Sequence, residues 1–165
     1  MSTEVRKICM LGDFAVGKTS LVNRFVNNAF SERYLSTVGV KIDTKLVQFP
    51  DREVKLVLWD LAGSDPLNGA AKSYLMGTHG IVLVADGTRR ETLDSALRIH
   101  QHAESLIGAR PTVLLINKAD LELQWRATPS DLTSARQWAL NAWETSALTG
   151  AHVEEAFLAL AGVQQ

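Results

Sequence analysis

Residues Gly12-Asp13-Phe14-Ala15-Val16-Gly17-Lys18-Thr19 constrain this chain more than any other stretch in it. They fit the spacing G-x-x-x-x-G-K-[ST], which has a physical meaning only where a strand ends and a helix begins. The flanks meet that condition. The apolar run Ile8-Cys9-Met10-Leu11 precedes the loop, and apolar spacing predicts a helix over 19–27. Glycines at such a corner let the backbone curl around an anion, with successive N–H groups pointing inward and the helix N-terminus adding partial positive charge. The candidate phosphate-binding residues are Asp13, Phe14, Ala15, Val16, Gly17, Lys18, Thr19 and Ser20. Lys18 can bridge the β- and γ-phosphates, and the Thr19 hydroxyl can bind Mg²⁺. The rival reading is a glycine loop before a helix with no ligand.

The rest of the chain alternates in a way that suits this corner. Extended stretches are predicted over 41–49 and 54–60, joined by the short turn Pro50-Asp51-Arg52-Glu53. Buried-looking runs follow at 81–85, 113–116 and 142–145, separated by helical patterns near 92–106 and 130–140, and 153–160 closes the chain. Strands alternating with helices imply an α/β fold: a six-stranded, mostly parallel sheet with one antiparallel edge strand and helices on both faces. With no repeats or linkers, residues 1–165 read as one domain. In such sheets ligands sit outside the carboxyl ends of the strands, where every motif here falls.

Composition excludes some partners. A formal net charge of −1 leaves no electrostatic case for nucleic acid. The lone cysteine, Cys9, excludes an internal disulfide framework and suits a reducing compartment. Met1-Ser2-Thr3-Glu4 lacks a signal-peptide pattern, Ser2 stands where myristoylation needs glycine, and Ala161-Gly162-Val163-Gln164-Gln165 offers no cysteine to prenylate. A cytoplasmic protein without a direct lipid anchor is expected.

A second motif specifies the base. Asn117-Lys118-Ala119-Asp120 follows the run at 113–116, so it lies at a strand's carboxyl end. The Asp120 carboxylate can accept from the N1–H and N2–H₂ of guanine, a donor pair that adenine lacks. The Lys118 stem can cover the purine face, and Asn117 can tie this loop to the phosphate loop.

With both motifs in place, the chain resembles the small GTPases, most closely the Rab branch, along nearly its whole length. Ser36-Thr37-Val38-Gly39-Val40, Trp59-Asp60-Leu61-Ala62-Gly63 and Glu144-Thr145-Ser146-Ala147 carry the likeness further. The resemblance implies a P-loop G domain that binds GTP and GDP with Mg²⁺. Thr37 and Asp60 would join Thr19 at the metal, and the Gly63 amide would contact the γ-phosphate. The Ala147 backbone would bind guanine O6 within the Ser146-Ala147-Leu148 loop, and Phe30 would pack on the base. Effector and exchange-factor proteins would engage switch I and switch II. On the residues alone, Thr37 could be a turn residue, Asp60 a strand-end cap and Phe30 core filler.

Two departures bear on catalysis. Ser64 stands where relatives carry the glutamine that orients the attacking water, and Phe14 occupies a loop position usually held by a small residue. The catalytic candidates are therefore Lys18, Thr37, Gly63 and Ser64, and slow GTP hydrolysis is expected. Arg33 or another water-positioning device is the alternative, and a nucleotide-locked scaffold is the competing function. Leu148 replaces a lysine common in the family. Arg89-Arg90 reads as a solvated helix start, His100 and His102 as residues on different helix faces, and Trp125, Trp138 and Trp143 as core or edge packing.

Overall fold

The computed structural model describes residues 2–28, 39–62 and 71–163. Strand β1 (Thr3–Gly12) leads into helix α1 (Lys18–Asn27), followed by β2 (Gly39–Gln48), β3 (Glu53–Ala62), α2 (Ala71–Leu75) and β4 (Gly80–Asp86). Then come α3 (Glu91–Ile107), β5 (Thr112–Asn117), α4 (Pro129–Ala135), β6 (Asn141–Glu144) and α5 (Val153–Ala161). The strands order as β2-β3-β1-β4-β5-β6, with every pairing parallel except β2 against β3. This is the mostly parallel sheet with one antiparallel edge that the alternation implied.

Alternation along β1 explains the layers. Ile8 and Met10 face Leu21, Val22 and Phe25 of α1 and Val153, Phe157 and Leu160 of α5. Cys9 and Leu11 face Tyr74 and Leu75 of α2, Ala96, Ile99 and Ala103 of α3, and Ala135 of α4. With helices on both sides, β4 and β5 are buried at every residue, so their sequences read as unbroken apolar runs. Phe25 stacks on Phe157 with ring centroids 4.3 Å apart, locking α1 to α5. Among the described residues no helix is long and apolar enough to cross a membrane.

One element differs from expectation. The helix predicted over 130–140 ends at Ala135. Beyond it, the N–H groups of Gln137 and Trp138 donate to the carbonyls of Ser134 and Ala135, an i−3 pattern that tightens into turns. The Arg136 guanidinium donates to Asn141 Oδ1 and to the Ala142 carbonyl, clipping this segment to β6 before another helical turn can form.

Parallel pairing sets the ends of β1, β3, β4 and β5 side by side, so Gly12, Asp60, Asp86 and Asn117 share one edge of the sheet.

Candidate functional site

The loop after β1 bends through two glycines for which a side chain has no room. Gly12, at φ 152°, would place a Cβ 2.3 Å from the Val84 carbonyl oxygen. Gly17, at φ 104°, would place one 2.3 Å from Asn117 Nδ2. The backbones of β1 and β4, and the Asn117 side chain, therefore approach as closely as glycine allows.

Between those glycines five consecutive carbonyls accept from side chains. Lys18 Nζ donates to Gly12 O and Asp13 O, both at 2.9 Å. Arg89 Nη2 donates to Phe14 O at 2.9 Å, Lys118 Nζ to Ala15 O at 2.9 Å, and Asn117 Nδ2 to Val16 O at 3.0 Å. Each peptide's N–H points opposite to its carbonyl, so holding the Phe14, Ala15 and Val16 carbonyls on Arg89, Lys118 and Asn117 fixes where the N–H groups of Ala15, Val16 and Gly17 point. The result is a concave set of amides suited to an oxyanion. Ser20 is buried at the loop's helical end, and Phe14 stands out with 75 % of its surface exposed.

Burial pushes the Lys18 amine below its ordinary value, against the opposing pull of Asp60 and Asp13. Burial pushes the Asp60 carboxyl up, against the Thr19 hydrogen bond and the charges of Lys18 and Lys41. Asp60 is 1 % exposed. Thr19 Oγ1 donates to its Oδ2 at 2.5 Å, while its Oδ1 is buried without a hydrogen-bond partner. A hydroxyl and an orphaned carboxylate oxygen at the phosphate end form a hard oxygen set that fits Mg²⁺.

The base loops are held from behind. Thr145 Oγ1 donates to Asn117 Oδ1 at 3.2 Å, and the Ala119 N–H to the Thr145 carbonyl at 2.9 Å. Ser146 Oγ donates to Asp120 Oδ1 at 2.7 Å, fixing one carboxylate oxygen. Arg24 of α1 donates to the carbonyls of Ala147 and Leu148 at 2.8 and 2.7 Å, turning that loop toward the phosphate-loop helix. Ala147 is buried and Leu148 half exposed.

Asp13 to Ser20, Asp60, Asn117, Lys118, Asp120, Ser146, Ala147 and Leu148 thus lie along connected segments. Phe30, Arg33, Thr37, Gly63 and Ser64 lie outside the described residues. The reading of Arg89-Arg90 as merely solvated needs correction. Arg89 reaches the phosphate loop and Asp86, while Arg90 makes a two-point pair with Asp131 at 2.8 and 2.9 Å. Asp86, Arg89 and Arg24 were missed; the available signal was Asp86 closing an apolar run at the edge where ligands sit.

Comparison with known proteins agrees with this layout. The Ras family model matches residues 7–164. The chain is 38 % identical over 156 residues to Ras-related protein RABA2d of Arabidopsis thaliana, covering 92 % of this chain and 70 % of that protein. It is 36 % identical over 154 residues to Ras-related protein Rab-4 of Dictyostelium discoideum, covering 92 % and 75 %.

Proposed function

Since this chain belongs to the Ras family, we propose that residues 1–165 form one G domain whose hydrolytic step is slow. The chain is a GTP-binding molecular switch and a GTPase, using GTP, GDP and Mg²⁺ as its family does. The observation that carries the assignment to this site is the row of carbonyls from Gly12 to Val16 held by side chains, which fixes the directions of the loop amides.

Within that frame Lys18 holds the β- and γ-phosphates, its burial making a nearby anion favourable. Asp120, steadied by Ser146, accepts from guanine. Lys118 covers the base, Phe30 packs on it, and Ala147 and Leu148 close the pocket beyond it. Thr19, Thr37 and Asp60 would hold Mg²⁺, which supplies charge neutralisation across the phosphate oxygens. Thr37 and the Gly63 amide draw the switch segments onto the γ-phosphate. Ser64 is too short to orient a water as glutamine does, and the exposed Phe14 ring crowds the approach of a partner's arginine. Effector and exchange proteins meet the switch segments, and the exposed Val40 and Ile42 at the start of β2 extend that surface. The buried free thiol of Cys9 supports a reducing, cytoplasmic setting.

The test is direct. Nucleotide released from purified protein is identified by chromatography, and a single turnover of loaded GTP is then followed beside a glutamine-bearing relative. Guanine nucleotide and a slower turnover are expected, with Ser64→Gln accelerating it about tenfold. Turnover as fast as the relative's would overturn the slow-step reading, and bound adenine nucleotide would overturn the base assignment.

A further inference from the structure

Four of the five side-chain-held carbonyls of the phosphate loop accept from Lys18, Lys118 and Asn117, which the binding motifs already contain. The fifth, on Phe14, is held by Arg89, which belongs to neither motif. We infer that Arg89 is a positioning residue for nucleotide retention, a strut from the end of β4 that completes the outer brace of the loop and slows nucleotide release. The inference rests on the reading that residues 12–19 hold the phosphates.

The strut is anchored at both ends. Arg89 Nε lies 3.1 Å from Asp86 Oδ2 while Nη2 reaches Phe14 O, so one planar guanidinium spans sheet and loop. Asp86 is 1 % exposed. Its other oxygen accepts from the Thr88 N–H at 2.9 Å and the Thr88 hydroxyl at 2.6 Å, and Lys118 Nζ lies 2.8 Å from Oδ2. Burial alone would raise its carboxyl, but these hydrogen bonds outweigh that and hold it below the ordinary carboxylate range, so it stays charged beneath both cations. The backbone of Arg89 is pinned as well. Its N–H donates to the Asp86 carbonyl at 3.0 Å, and its carbonyl accepts from Thr92 Oγ1 at 2.7 Å.

At the other end, packing does not hold Phe14, because its ring is mostly in solvent. The next residue, Ala15, sits at φ 61°, a left-handed conformation that an L-residue keeps only when its surroundings enforce it. The Phe14 carbonyl and the Ala15 N–H share one peptide plane. Fixing the carbonyl on Arg89 therefore aims that N–H into the loop's interior. Without the guanidinium this peptide is free to rotate, and one amide of the anion cradle is lost.

Release of fluorescently labelled GDP, in Mg²⁺ and after its chelation, measures the effect. Arg89→Ala should release nucleotide about tenfold faster than the parent, the loss of one charge-assisted hydrogen bond. Arg90→Ala, which removes the pair with Asp131 and the hydrogen bond to the Arg126 carbonyl at the same helix start but no contact with the phosphate loop, should release at the parental rate. Amide hydrogen exchange of the GDP complex should rise in Arg89→Ala across residues 14–16 and stay at the parental level along α3. An unchanged release rate in Arg89→Ala, equal acceleration in both variants, or faster exchange along the whole of α3 would each overturn the inference. In those cases the parent would still hold guanine nucleotide, whereas a parent that retains none would sink the reading of the site itself.

Discussion

At Asp120 one carboxylate oxygen accepts from the buried Ser146 hydroxyl at 2.7 Å, and in the function proposed above the same group accepts from the base. Removing the hydroxyl should leave the fold intact but let the carboxylate swing. Ser146→Ala is expected to weaken GDP binding about fivefold, the worth of a net hydrogen bond near 1 kcal/mol. Asp120→Ala should weaken it by about a hundredfold or more, since the guanine donors then go unpaired. Fluorescence titration with labelled GDP checks both, and equal losses in the two variants would mean that Ser146 orients nothing. Residues of this kind were legible in the sequence because backbone geometry and hydrogen-bond pattern dictate their type at fixed spacings, as at Gly17, Lys18, Asn117 and Asp120. Arg89, Asp86 and Arg24 were not, because an arginine's meaning depends on which carbonyl it meets after folding. Nothing in Asp86-Gly87-Thr88-Arg89 announces that its last side chain crosses to residue 14.

Elements show the same division between local rule and spatial fact. The β2–β3 hairpin, the all-buried β4 and β5, and the helix after the phosphate loop follow from periodicity and turn chemistry. The early end of α4 does not, because it depends on Arg136 finding Asn141 and Ala142. The loop between β4 and α3 carries a second contact of that kind. At Gly87 a Cβ would lie 2.0 Å from the Trp125 ring, and the Gly87 carbonyl accepts from the Arg126 N–H at 2.7 Å, so indole and backbone are in close contact. A methyl group there must displace a ring that is partly buried against the core. Gly87→Ala should therefore destabilise the protein by about 1–3 kcal/mol, the usual penalty for overpacking. Trimming the opposing ring in Gly87→Ala/Trp125→Leu should recover part of that loss, giving a positive coupling in a double-mutant cycle. Additive losses by chemical denaturation would show that the two do not meet.

On the scale of the molecule, the two ends of the sheet have different work. Its carboxyl edge gathers the loops of the site, while the opposite end is tied down by Arg6 and Arg52, which donate to the carbonyls of Leu160 and Gly162 at the end of α5. Stability against acid draws on His100, Asp131 and Asp86, and the pH windows in which they titrate separate them. His100 of α3 stacks on Trp138 with ring centroids 4.6 Å apart, its Nδ1 buried without a partner. Burial lowers its pKa, and Glu104, 3.3 Å from Nε2, offsets this only in part. The folded state thus favours the neutral ring. As pH falls through the unfolded value of about 6.5, the unfolded chain takes up a proton that the folded chain resists, and stability drops until the folded value is reached. Asp131, lowered by the hydrogen bond from Arg90 despite some burial, and Asp86, lowered despite burial by Lys118, Thr88 and Arg89, act in a separate window. Their contribution is present above about pH 4, the unfolded carboxylate value, and disappears below it as both are protonated. Thermal unfolding should accordingly lose a few degrees in one step beginning near pH 6.5 and decline again below about pH 4. In His100→Gln the first step should vanish and the second remain, although the lost ring stack lowers the starting Tm. A first step that survives in this variant would assign it to another group and leave His100 a packing residue alone.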